Sequence, residues 1–154
     1  MNTKRLMCML MACTLTLLGV IPPARAAEAP GEVIWLEDLE WEWIDLSTVD
    51  GLQGELAPQA SVSVNKNFAG NSTQSVTSFL SFKANDVVTF NCSYSPSSAS
   101  MDFGVIASSG RFYSINVKGG SIKQPVGISQ TGSYAVAVRN NSSQTVRVVG
   151  FVNY

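Results

Sequence analysis

From residue 60 to the C-terminus, apolar and polar side chains alternate in short runs that return about every ten residues, the pattern of an all-β sandwich or barrel. Val88, Phe90, Cys92 and Tyr94 share one face of such a run, while Val87, Thr89, Asn91 and Ser93 share the other. Met101, Phe103 and Val105 make a second apolar face, and Tyr134, Val136 and Val138 a third. Val146, Val148, Gly150, Val152 and Tyr154 make the last. The spacing predicts eight strands, near 60–66, 75–83, 87–94, 100–107, 111–117, 121–128, 133–139 and 145–154. Between them stand Lys83-Ala84-Asn85-Asp86, Ser108-Ser109-Gly110, Lys118-Gly119-Gly120 and Asn140-Asn141-Ser142-Ser143, with the Asn and Gly residues that supply positive φ in hairpins. No helical period interrupts this region. The expected fold is all-β: an antiparallel sandwich, jelly-roll-like, over residues 59–154.

The preceding segment follows a different pattern. Leu39, Trp41 and Trp43 alternate with Glu40 and Glu42, which fits a strand. Trp35, Leu39 and Trp43, four residues apart, equally suit a helix stripe. The extended reading is preferred. Residues 46–51 then resemble a turn.

At the N-terminus Lys4 and Arg5 precede a mostly apolar run, Leu6 to Ile21, closed by Pro22 and Pro23 and followed by Ala24-Arg25-Ala26. This is the layout of a secretory signal cleaved after Ala26 or Ala27. The run is shorter than the ~18–20 residues of a membrane helix. The expectation is therefore a secreted protein with no membrane span once the signal is gone. A looser match, Leu10-Met11-Ala12-Cys13, offers a lipid anchor at Cys13 as the alternative. Removing 26 of 154 residues leaves 128, in which Cys92 is the one cysteine, so no internal disulfide is expected and the core alone must hold the fold.

Charge divides the chain in two. Residues 27–58, an acidic leader, hold nine of the 11 acids and no Lys or Arg, for a formal −9. Residues 59–154 hold Asp86 and Asp102 against seven bases, for +5. All three tryptophans lie in the acidic leader. A modest positive charge spread over turns argues against nucleic acid as a partner. Apolar groups in the leader are too numerous to stay in water, so residues 33–46 are expected to dock on the sandwich, with their aromatics buried and one edge strand added.

The candidate chemistry is sparse. The chain contains no His, which removes the usual base for a Ser or Cys nucleophile and the commonest metal ligand. Cys92 lies on an apolar face and reads as a core residue. The acids Glu37, Asp38, Glu40 and Glu42 are crowded, but Glu40 and Glu42 would point the same way on one strand, unlike the opposed pair of a glycosidase. No spaced calcium loop is present. Trp35, Trp41 and Trp43, with Glu40 and Glu42, form the candidate ligand-binding set: flat aromatics that could stack on sugar rings, or simple packing anchors. No catalytic, metal or cofactor site is expected. Sequons at Asn71, Asn91, Asn140 and Asn141 matter only in a eukaryotic secretory pathway, and the Ala-rich signal reads as bacterial.

The closing stretch, with Gly132, Tyr134, Asn140, Asn141, Ser142, Ser143, Gly150, Val152 and Tyr154, resembles the G-x-Y…N-N-S-S…G-x-V-x-Y ending of uncharacterised small exported β-domain proteins of Gram-positive bacteria. Residues 60–154 are more distantly similar to the bacterial pre-peptidase C-terminal domain, with Met101 to Phe112 in place of its Asp-containing strand and turn. No protease accompanies the domain here, so that role does not carry over. The absence of a workable catalytic set, together with the export signal, leads to the expectation of an exported, non-catalytic interaction module whose partner is an extracellular protein or glycan. The alternative, from the acids and tryptophans, is a secreted carbohydrate-binding or hydrolase-related protein.

Overall fold

The computed structural model describes residues 31–52 and 61–154. The expected export signal, its cleavage point and Cys13 lie outside the described residues. The leader supplies β1 (Ile34–Trp35) and β2 (Glu40–Trp43). The sandwich supplies β3 (Ser61–Phe68), β4 (Ser72–Ser75), β5 (Leu80–Phe82), β6 (Val87–Ser95), β7 (Met101–Ala107), β8 (Arg111–Val117), β9 (Ser121–Gly127), β10 (Gly132–Asn140) and β11 (Val146–Asn153).

Two sheets face each other, one in the order β1-β9-β6-β11-β3 and the other β2-β8-β7-β10-β4, with β5 also on β10. The antiparallel pairs β3·β11, β4 and β5·β10, β6·β9 and β7·β8 nest first with last, as in a jelly roll. The alternating faces read from the sequence are the inner ones. Val88, Phe90, Met101, Phe103, Val105, Val136, Val146 and Val148 are all fully buried. Phe90 of one sheet meets Phe103 of the other edge-on, centroids 5.9 Å apart, which joins the layers.

The strand expected over 75–83 is a correction. Its pairing begins earlier, at Ser72, breaks after Ser75 and resumes at Leu80. The break has a chemical cause: buried Thr77 turns its hydroxyl inward to accept the Val136 N–H at 2.9 Å, replacing a ladder bond. The turns form as expected, with Asn85 at φ 76° and Gly119 and Gly120 at φ 102° and 91°. Asn140, one of the sequon residues, is wholly buried. Its amide donates to Phe68, Ala69 and Gln144 carbonyls, and its oxygen accepts from Ser142, so one side chain ties the β3–β4 and β10–β11 turns together.

The leader docks on both sheets. β1 lies parallel to β9, Ile34 opposite Val126 and Trp35 opposite Gly127. The Trp35 ring covers Gly127 so closely that a Cβ there would come within 2.3 Å of it. A 3-10 turn, Leu36–Asp38, then carries the chain across one flank, with Leu36 in the main core. β2 joins β8 antiparallel. Beyond it the Asp45 carboxylate accepts the Ser47 N–H at 2.9 Å and caps a second 3-10 turn, Leu46–Thr48. Val49, with Ile44, Leu46 and Leu52, packs on Ile106, Phe112 and Ala137 of the second sheet's outer face. The strap ends where Ser75 N–H bonds the Asp50 carbonyl at 2.7 Å, on the far edge strand β4.

Docking was expected through the tryptophans, and this is corrected in part. Trp41 and Trp43 remain 48% and 61% exposed, whereas Leu36 and Val49 are the buried anchors. The period-2 pattern places both indoles at a sheet edge that the opposite sheet does not cover. Leu36→Ala should therefore cost about 2–5 kcal/mol, read as a lower urea midpoint, and it should raise amide exchange in β1 before the rest of its sheet. Trp43→Ala should leave the midpoint almost unchanged.

Candidate functional site

On the outer face of the second sheet, beside the strap, a polar groove of about 340 Å³ opens between Glu40 and Glu42 on one side and Asp102, Asn116, Arg139 and Asn141 on the other. The register puts these residues there. Glu40 pairs with Ser114 and Glu42 with Phe112, Asp102 with Asn116, and Arg139 with Asp102. Opposed residues in a sheet share a face, so all of them project outward.

Arg139 organises the groove. Its Nε and Nη2 donate to one Asp102 oxygen at 2.9 and 2.6 Å, and the other oxygen accepts from Asn116 Nδ2 at 2.6 Å. Asn116 also donates to the Ser100 hydroxyl. From β10 the guanidinium passes over the Phe112 ring, 5.4 Å from its centroid, and pairs with Glu42 on β2. The Arg139 and Glu42 side chains together thereby span three strand spacings, roughly 14 Å. Partial burial holds the Arg139 guanidinium below its ordinary range. The Asp102 side chain is only 5% exposed and that of Glu42 is 47% exposed, so the two halves of this bridge differ in worth. One cation against Asp102, Glu42 and Glu40 leaves the groove with a formal charge of −2.

The five residues singled out from the sequence separate into three places. Trp35 is a packing residue on β1, away from the groove. Glu40 and Glu42 point the same way, as expected, and form one groove wall. Trp41 and Trp43 form an exposed pair, centroids 5.9 Å apart at 89°. The Arg111 guanidinium, opposite Trp43 on β8, sits 4.7 and 5.2 Å from the two rings, within cation–π range. Trp41 also lines the groove. Asp102, Asn116 and Arg139 were not singled out, although the alternation puts each on an outward face; only the strand order brings them together.

Other chemistry is confined. The Cys92 Sγ is buried and its S–H donates weakly to the Phe151 carbonyl, 3.7 Å away. Burial pushes this thiol above its ordinary value of 9.0. Among the described residues no group of three His, Cys, Asp or Glu side chains is placed to hold a metal ion, and no helix is long and apolar enough to cross a membrane.

Fold and groove together define a jelly-roll sandwich with a leader-built polar site on one outer face. No protein-family model, curated protein or solved structure matches the chain.

Two outcomes follow. Arg139→Ala strands a nearly buried carboxylate and should cost about 3–5 kcal/mol, whereas Glu42→Ala, removing the half-exposed partner, should cost about 1 kcal/mol or less; urea unfolding separates them. Because the folded state disfavours the Cys92 thiolate, this residue's contribution to stability should be fully present well below the unfolded thiol's range near pH ~8.5 and fall as pH rises through the range where only the unfolded thiol ionises. Tyr134 and Tyr154, raised from 10.0 chiefly by burial, extend the loss with the same sign at higher pH. In Cys92→Ala the first part of that decline should vanish.

Proposed function

We propose that the protein is a non-catalytic extracellular interaction module, and that its binding surface is the part the leader builds: the groove and the adjoining strand β2. The observation that carries this reading is the Asp102–Arg139–Glu42 bridge. It fixes a preformed polar concavity while tying two of its three carboxylates to one guanidinium, a poor arrangement for proton transfer and a good one for recognition. Buried Cys92 and the lack of His support the same reading. Export rests on the charged, apolar and Ala-rich N-terminal sequence.

A second reading is favoured by the groove's mixture of groups. Carboxylates, the Asn116 and Asn141 amides and the Ser114 hydroxyl beside Trp41 suit the paired donors and acceptors of a saccharide. Titration of residues 27–154 with neutral oligosaccharides, followed by amide and side-chain NMR shifts, separates the two. Shifts centred on Asn116 and Arg139 that saturate would support the saccharide. A panel of hydrolase substrates should give no turnover above buffer; turnover abolished by Glu40→Gln would overturn the non-catalytic reading.

A further inference from the structure

We infer that β2 is a docking edge for an extended peptide strand in which basic and apolar residues alternate. The inference rests on the interaction-module reading and names the class of partner for that surface.

β2 ends its sheet, and all four of its residues are exposed. The Ile44 N–H bonds the Gly110 carbonyl at 2.9 Å, one step beyond Trp43 opposite Arg111. Because antiparallel hydrogen bonding alternates from residue to residue, Glu42 and Glu40 turn their main-chain groups toward β8. Trp41 and Trp43 therefore turn their N–H and C=O groups outward, where no described strand pairs with them. An unpaired row of this kind takes an added strand unless something blunts it. β3, an edge strand of the other sheet, is blunted by Asn65, Lys66 and Asn67, all exposed. β2 instead offers Trp41 and Trp43 steadied by Arg111, the residue types that dominate binding surfaces.

Side-chain chemistry selects the partner. A strand added antiparallel to β2 meets Glu40 and Glu42 on one face and the two indoles on the other. Opposite charge on the first face and apolar groups on the second are the complementary set. A second copy of β2 is a poor occupant: the antiparallel registers overlapping by three residues put Glu40 opposite Glu42 or Glu42 opposite itself.

The test uses residues 27–154 and two capped hexapeptides, alternating Lys-Val and alternating Glu-Val. The Lys-Val peptide should bind at least tenfold more tightly than Glu-Val, and weaken with salt. At saturation the Trp41 and Trp43 amides should exchange at least tenfold more slowly, while the amides of Glu40 and Glu42, already bonded to β8, change little. Glu40→Lys should reverse the preference between peptides; its urea midpoint, matched to that of the parent, reads out folding independently. Equal affinity for both peptides, or binding without protection at Trp41 and Trp43, overturns the inference. So does protection of these amides without peptide in a dimer found by sedimentation. Failure here is distinct from failure of the broader reading, which substrate turnover would reveal, and a saccharide would shift Asn116 and Arg139 without slowing the two tryptophan amides.

Discussion

Main-chain pairing of the leader with the sandwich is the interaction on which the rest depends. A two-layer sandwich leaves a pair of strand edges open on each flank. Here β1 takes the edge beside β9 and β2 the edge beside β8, so one short segment extends both layers on one side. Without β2 the groove has a single wall, Arg139 reaches no second carboxylate, and Phe112 loses the cover of Ile44, Leu46 and Val49. The contrast of −9 against +5 does not supply the adhesion. Exposed ion pairs are worth about 0–1 kcal/mol each, and burying one Leu or Val side chain contributes about 1.5–3. Leu36 and Val49 hold the leader, main-chain pairing sets how it lies, and Glu42 adds a half-exposed ion pair with Arg139.

Asn140 and Asp102 are buried with complete or nearly complete sets of partners, unlike Gln74 Oε1 and Ser75 Oγ, which have none among the described residues. Asn140 meets three carbonyls with its amide and Ser142 with its oxygen. Asp102 has Arg139 on one oxygen and Asn116 on the other. Such groups add less to stability than an apolar core of the same volume, but they penalise any other arrangement of the turns and strands around them. A one-residue slip would expose each strand's apolar face, but a two-residue slip keeps it inward, and against that slip the polar penalty helps specify the register.

The fold was legible to the extent that it depends on period two. Met101, Phe103 and Val105, and the matching positions of β6, β10 and β11, declared their buried face because one side of each strand meets the other sheet. Three things were not legible, each for a physical reason. Thr77 breaks a strand by a side-chain bond to Val136 that propensity does not register. Leu36 rather than Trp41 is buried because depth depends on where an edge strand stands relative to the opposite layer, and residue size carries no information about that. The site was half visible: Glu40 and Glu42 share a strand, but Asp102 and Arg139 lie 37 residues apart and meet only through the β7·β10 pairing.

The leader's partners impose an order in time. Ile34 pairs with Val126 and Trp41 with Tyr113, so a segment made early rests on strands made much later. Closing loops of that length is slow compared with forming the β7–β8 hairpin. Until β8, β9 and β10 have all been made, the strands that carry the leader's partners do not exist together, and its acids and tryptophans lack the partners they have in the fold. The groove cannot be completed before β10 supplies Arg139, and a chain cut short before β9 never acquires it in its final form.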